Sequence, residues 1–343
     1  MTEEKQVQAA PVPAGPTLHV ASSPHVANKA RSTHRMMTDV LIALVPVLVV
    51  AVVVFREYAI FQTLLAVTGC LATAWVFAAA RKKPFSLKDC SAIVTGIILA
   101  MSLPWSCPWH VTLIAAVMAI VLGKMIFGGL GQNLFNPAMV GRAFVMICFA
   151  GALGASAYQD MHDKLGADYL TRATPMTLEK QVAEGKISAE ELPSAGALFL
   201  GRCGGSMGEI SALACLLGGA YLLVRRTAAW EIPAGVFGAV IVICFVMWVF
   251  GSRINMLYQL LGGALFFGAF FIATDPVSSP LTSKGRVIFG VGVGACIMLI
   301  RLLSNYPEGV MFAVLLMNAV VPLINRATVP TPLGGPVPEK KAA

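Results

Sequence analysis

Residues 91–108 read SAIVTGIILAMSLPWSCP and residues 263–280 read GALFFGAFFIATDPVSSP. Aligned 172 positions apart, they share Ala92, Gly96, Pro104 and Pro108 with Ala264, Gly268, Pro276 and Pro280, and Ser106 coincides with Ser278. Each stretch is a continuous apolar run that ends in proline punctuation, the mark of an interrupted membrane helix. Lys124 and Arg301, near the ends of the next apolar runs, extend the match. An internal match of this kind points to two related halves. The competing reading is composition alone, because glycine and proline are common in membrane helices.

The rest of the chain has the same solvent. Of 343 residues, 57% are hydrophobic and 12% are charged, against about 25% charged in soluble domains. The mean hydropathy is +0.77. The runs are continuously apolar rather than alternating, which selects helices over a transmembrane barrel. Ten spans are expected: 38–55, 58–80, 90–103, 111–126, 138–153, 209–224, 232–250, 256–274, 287–303 and 310–324. The fold class expected is therefore an all-α polytopic membrane protein, built as two five-helix repeats of opposite orientation.

Basic residues orient these spans by the positive-inside rule. Lys29, Arg31 and Arg35 precede the first, Arg81, Lys82 and Lys83 follow the second, Arg225 and Arg226 follow the sixth, and Lys284 and Arg286 precede the ninth. Arg326, Lys340 and Lys341 follow the tenth. All fall on one side, so both termini are expected in the cytoplasm. The segment from Ser156 to Leu198 carries seven acids against four bases, net −3, and suits the outer face. The expected organisation is a cytoplasmic tail at 1–36, a first membrane repeat at 37–155, an extracytoplasmic segment at 156–203, a second repeat at 204–325 and a Pro-rich cytoplasmic tail at 326–343.

The net charge of +8 is spread between spans rather than gathered on one surface, which excludes a nucleic-acid partner and leaves membrane lipid as the surrounding partner. The eight cysteines are far apart, with no paired or Cys/His spacing that would hold a metal or cluster, and most read as packing residues.

Three polar stretches stand out. Residues 128–142, between the fourth and fifth spans, combine four glycines with Asn133, Asn136 and Arg142. A glycine backbone can approach a flat ligand and amides can bond a ring edge; a re-entrant turn with a helix cap would look the same. Residues 273–286 put Asp275 at a membrane boundary beside Lys284 and Arg286, where it either serves a site or caps a turn and pairs with those bases. The two stretches together are candidates for a cytoplasmic-side pocket. Residues 168–177 hold Thr171, Arg172, Ala173, Thr174 and Pro175, with Thr174 as a candidate N-cap ahead of Pro175. Asp39, Lys124, Glu209, Asp275 and Arg301 are intramembrane or boundary charges and candidates for an ion path; each is also readable as a snorkelling or paired structural residue. On these grounds alone, a small-solute permease and a redox subunit both fit.

The stretches GGLGQNLFNPAMVGRA (128–143), GGSMGEISALACLLGGAYLL (204–223), ATDPVSSPLTSKGR (273–286) and YPEGVMFAVLLMNAVVPLIN (306–325) resemble the D subunit of Rnf-type electron transport complexes. A relative with similar motifs is the B subunit of the sodium-translocating NADH:quinone reductase; length and the Thr-Pro-Met ending resemble the Rnf-type subunit more. The resemblance covers nearly the whole chain and implies a fold like that of urea transporters. It implies FMN joined through its phosphate to Thr174, the last residue of a Ser/Thr-x-Ala-Thr motif, with Thr171, Arg172 and Pro175 around it. This chain departs from the usual Ser-Gly before Ala-Thr by carrying Thr171-Arg172. The resemblance also implies a second, noncovalent flavin such as riboflavin in some members, for which Asn133, Asn136, Arg142, Asp275 and Lys284 are the candidate surroundings. It implies electron flow between ferredoxin and NAD coupled to sodium or proton movement. Expected partners are the flavin-bearing G subunit, the membrane A and E subunits, the iron-sulfur B and C subunits and a flavin transferase, with the complex in the bacterial inner membrane. The chain shows no dinucleotide fingerprint and no iron-sulfur cysteine spacing, so partners supply those cofactors.

Overall fold

The computed structural model describes residues 32–82, 89–153, 175–183, 188, 192–201, 205–251, 255–304 and 309–330. Helices, and no strand, form among them. In order they are α1 (Thr33–Phe55), α2 (Glu57–Ala80), α3 (Ser91–Ser102), α4 (Trp109–Ile120) continuing as a π-helical turn (Val121–Met125), and α5 (Pro137–Cys148) with one further turn at Ala150–Leu153. Then come α6 (Pro175–Ala183), α7 (Ala195–Leu200), α8 (Ala212–Val224) and α9 (Glu231–Val249). The last are α10 (Met256–Leu261), α11 (Leu265–Phe267) continuing as a π-helical turn (Gly268–Ile272), α12 (Ser283–Leu303) and α13 (Val310–Thr328).

Five helices, α1, α2, α9, α12 and α13, are long and apolar enough to cross a membrane. Their outward side chains, Val53, Trp75, Phe245 and Leu323 among them, are large, apolar and exposed. The chain is a multi-pass membrane protein. Lipid is as apolar as leucine, so close packing rather than hydrophobic burial must join such helices. Small residues provide that packing: a methyl on Gly235 of α9 would lie 3.0 Å from Gly290 Cα of α12, and one on Gly294 would lie 2.5 Å from the Val236 carbonyl. The two glycines matched in sequence are both such contacts, Gly96 against Val67 of α2 and Gly268 against Val310 of α13.

The other expected spans differ from uninterrupted helices. At twelve residues, α3 and α5 reach about 18 Å, too short for a hydrocarbon core of about 30 Å. The expected 138–153 span stops at Cys148, with Phe149 outside helical geometry. The expected 256–274 span breaks after Leu261, where Gly262 and Gly263 leave helical geometry, Gly263 at φ +69°. A break inside a membrane frees carbonyls that need partners. Here Arg301 of α12 supplies them, donating to Gln259 O at 2.6 Å and Gly262 O at 3.2 Å.

Candidate functional site

Capping geometry builds one end of the molecule. Asn136 caps α5 by accepting from the Ala138 and Met139 amides at 3.1 and 3.4 Å, with Pro137 at the first helical position. Its own amide donates to Ile272 O at 3.2 Å, the last residue of the second π turn. With its carboxamide oriented to suit its neighbours, the buried Asn318 of α13 donates to Ser278 O at 3.2 Å and accepts from the Asn136 backbone N–H at 3.1 Å. The two polar loops, 128–136 and 273–282, are thus joined through Asn136 and Asn318.

Between them opens a small cavity, about 70 Å³ of enclosed space that widens into an open mouth. Met36, Met37, Val94, Ile98, Phe270 and Phe271 give it apolar walls, while Ser91, Thr95, Lys124, Asn133, Asn136 and Asp275 give it polar points. Lys124 sits in the π turn of α4, and its ammonium donates to Ser91 Oγ at 2.5 Å. Such turns recur at functional sites because they redirect a side chain without ending the helix. Asp275 is half-buried and accepts from Ser278 Oγ at 2.8 Å and the Val277 amide at 3.5 Å. Beside the cavity, Asp39 of α1 accepts from Arg225 at 3.2 Å, Thr227 at 3.0 Å and Tyr221 at 3.3 Å. An apolar slot with a cation, a carboxylate and carboxamides suits a flat, partly polar organic ligand.

A second buried polar cluster lies at the opposite end of α12, which at 21 residues is about 31 Å long. Besides the two freed carbonyls, Arg301 donates to Gln259 Oε1 at 3.2 Å. The Gln259 amide donates to Glu179 Oε2 at 2.6 Å, and the Asn255 amide donates to Glu179 Oε1 at 3.0 Å. Glu179 belongs to α6 and is 5% exposed. Burial pushes its carboxyl up to about 7, against the opposing pull of the Asn255 amide, Arg301 and Gln259. Lys180 donates to Ser304 O at 2.6 Å, and Met176 packs its thioether on Gly262 and Gly263.

Residues 19–334 match the model of the NQR2, RnfD, RnfE family. The chain belongs to that family. It is 40% identical over 315 residues to the D subunit of the Na(+)-translocating ferredoxin:NAD(+) oxidoreductase complex of Acetobacterium woodii, covering 91% of this chain and 93% of that one. It is 37% identical over 324 residues to the D subunit of the proton-translocating ferredoxin:NAD(+) oxidoreductase complex of Clostridium ljungdahlii, covering 92% and 96%. To the D subunit of the ion-translocating oxidoreductase complex of Ectopseudomonas mendocina it is 40% identical over 327 residues, covering 91% and 95%. The resemblance drawn from the four motifs is borne out, and with it kinship to the family's D subunits rather than to a stand-alone permease.

The residues named from sequence divide into three groups. Asn133, Asn136, Asp275 and Lys124 line the same cavity. Lys284 is exposed on the first turn of α12, and Arg142 is buried in α5 away from the cavity wall; neither lines it. Asp275 is held by Ser278 and Val277 rather than by Lys284. Glu209 is buried and accepts from Ser206 Oγ, and Arg301 serves the helix break. Thr171, Arg172 and Thr174 lie outside the described residues, whereas Pro175 is buried at the start of α6. Sequence reading missed Ser91, Gln259, Glu179 and Asn318. A signal existed for one further pair: Met37 and Asp39 match Met207 and Glu209 in residue class at a shift of 170, close to the 172 of the proline stretches.

Proposed function

We propose that this chain is the D subunit of an ion-translocating ferredoxin:NAD oxidoreductase complex, carrying FMN on Thr174 through a phosphoester. The observation that carries the reading is near full-length similarity to proteins so named, joined to a threonine at the family's flavin motif. The local chemistry fits the group. A phosphodiester on Thr174 would precede Pro175, the first residue of α6, and helix N-terminal amides and the helix dipole favour negative charge. A bound flavin would supply one- and two-electron chemistry there. The Thr174 hydroxyl would supply the oxygen that anchors the phosphate.

The cavity is the proposed place of a second, noncovalent flavin on the cytoplasmic side. Lys124, Asn133 and Asn136 would bond its ring edges, and Phe270, Phe271 and Ile98 would cover its apolar faces. Orientation follows from the bases: Arg81, Arg225, Arg226 and Arg286 all lie at the cavity end of their helices. The extracytoplasmic side is then the end where α6 docks. An inverted repeat would relate the contact of Lys124 with Ser91 to that of Arg301 with Gly262, next to Gly263, since Ser91 and Gly263 precede the matched Ala92 and Ala264. The partners are the other subunits of the complex and a flavin transferase. Relatives are named for sodium and for protons, and the reading holds for either ion.

The test is the full chain expressed with a flavin transferase, as wild type, Thr171→Ala, Thr174→Ala and Thr177→Ala. Thr174→Ala alone should lose flavin fluorescence in a denaturing gel and the FMN adduct in peptide mass spectrometry, at a folding cost of about 1 kcal/mol from a lost cap. Fluorescence that persists in Thr174→Ala rejects the assignment. Flavin still bound natively to Thr174→Ala, and lost on Asn136→Ala, supports the cavity as a second site. Reporters after Val224 and near residue 185 should read opposite sides of the membrane.

A further inference from the structure

The packing of α9 on α12 leaves a groove on the lipid-facing surface. The two backbones nearly touch: a methyl on Gly290 would lie 2.5 Å from the Ile232 carbonyl, and one on Gly294 would lie 2.5 Å from the Val236 carbonyl. Ile232 and Val236 thus meet Gly290 and Gly294 in the same order, so the helices run parallel and both begin at the cavity end of the molecule. Beside this line of contact the side chains are too small to close the surface, and a methyl on Gly238 would meet nothing within 4 Å. The result is an open groove of about 410 Å³, lined by Ala234, Gly238 and Ala239 of α9 and by Val287 and Val291 of α12. Trp230 and Glu231 line its head, and Val242 lines its far end. From Glu231 to Val242 it runs about 16 Å along α9, close to one leaflet of a hydrocarbon core of about 30 Å.

The lining and the size select the occupant. Water would find a charged partner only at the Glu231 end, and an unfilled crevice forfeits dispersion contacts along its walls. Spread over its length, the volume gives a cross-section of about 25 Å², which admits one extended hydrocarbon chain and excludes a helix about 10 Å across. The head of the groove is charged. Glu231 is half-buried in the first turn of α9, and Lys284 stands on the same exposed stripe of α12 as Val287 and Val291, one turn before Val287. Among the described residues neither has an ion-pair partner. Trp230, next to Glu231, is 65% exposed, and tryptophan in a membrane protein favours the level of the lipid headgroups. We propose that this groove binds one phospholipid with an amine-bearing headgroup: an acyl chain lies between α9 and α12, the headgroup ammonium meets Glu231 and the phosphate meets Lys284. A headgroup with negative charge alone would bring its phosphate to the same place with no cation to offset Glu231, and like charges repel. A zwitterionic aminophospholipid satisfies both side chains. The inference is independent of either flavin assignment.

The experiment is native mass spectrometry of the full chain in detergent, titrated with dioleoylphosphatidylethanolamine or dioleoylphosphatidylglycerol, as wild type, Glu231→Gln, Lys284→Gln and Gly238→Leu. The wild type should bind its first ethanolamine lipid about tenfold more tightly than its first glycerol lipid. Glu231→Gln should erase that preference through about a tenfold loss for the ethanolamine lipid, the scale of one hydrogen bond to a charged group. Lys284→Gln should weaken both lipids. Gly238→Leu fills the groove and should remove the tight first site for both, with circular dichroism as the check on its helices. If Gly238→Leu does not fold, Ala234→Leu on the exposed side of the groove takes its place. Equal affinity of the wild type for the two lipids overturns the inference, as does a preference that survives Glu231→Gln or binding that is unchanged in the groove-filling variant. The same variant is also purified in the assembled complex. Lipid binding left intact there, together with loss of another subunit, would mean that the groove seats a partner's side chain, and the inference fails.

Discussion

The two ends of the molecule each bury one cation beside a stretch of the matched sequence, and they differ in what surrounds it. At one, Lys124 reaches from the end of α4 to Ser91, just before Ala92; at the other, Arg301 reaches from the end of α12 to Gly262, just before Gly263 and Ala264. Around Lys124 there is open space with apolar walls. Around Arg301 the space is taken by Met176 and Glu179 of α6. The cations also have different duties. Lys124 bonds one hydroxyl beside a cavity, whereas Arg301 satisfies two carbonyls of a broken helix and one side-chain oxygen. A buried cation with several carbonyl partners is structural. One that bonds a single side-chain hydroxyl and faces open space, with a carboxylate on the same wall, is available to a ligand.

Substitution of each cation is the most direct way to break this comparison. Arg301→Met leaves buried carbonyls without donors and should cost about 3 kcal/mol, read as a large drop in the thermal midpoint of the detergent-purified chain. A midpoint near that of wild type would mean that the break is satisfied some other way. The pH dependence of α6 comes next. Glu179 is almost fully buried, and its raised carboxyl should make docking roughly 2–3 kcal/mol weaker above pH 8 than below pH 5, seen as rising proteolysis or exchange of α6. An opposite trend would show that Arg301, not burial, dominates. Asn318→Leu should cost about 2 kcal/mol, since it strands the Asn136 amide and Ser278 carbonyl, and should empty the cavity of any native-state flavin. The smallest effect is expected of Lys124→Met: it removes one hydrogen bond to the buried Ser91 hydroxyl and should cost about 1 kcal/mol, yet weaken retention of a cavity ligand. If Lys124→Met and Arg301→Met prove equally damaging, the contrast between the two ends fails.

Much of the cavity was legible in the chain. Asn133, Asn136 and Asp275 were recognisable because polar residues in glycine- and proline-rich loops between apolar runs have few roles. Arg142 and Lys284, drawn from the same loops, do not line the cavity, because membership of a loop does not fix the direction of a side chain. Arg142 lies in α5 past the cap, and Lys284 sits on an exposed helix turn. Glu179 carried no warning. In sequence it is one of seven acids in a segment of net charge −3, and only the docking of α6 distinguishes it.

Local pattern was enough to establish that the chain lives in a membrane, that α-helices cross it, that a proline-ended motif occurs twice and that the family is that of the Rnf D subunits. Periodicity, charge placement and long motifs carry these conclusions, and none of them needs knowledge of what lies across the fold. Packing was required to learn which spans are whole and which are short or broken, that Asn136 and Asn318 join the two polar loops, and that one end stays open while the other is filled by α6. Those outcomes depend on contacts between residues more than a hundred positions apart, such as Asn136 with Ile272 and Lys180 with Ser304, and no local pattern encodes such a contact.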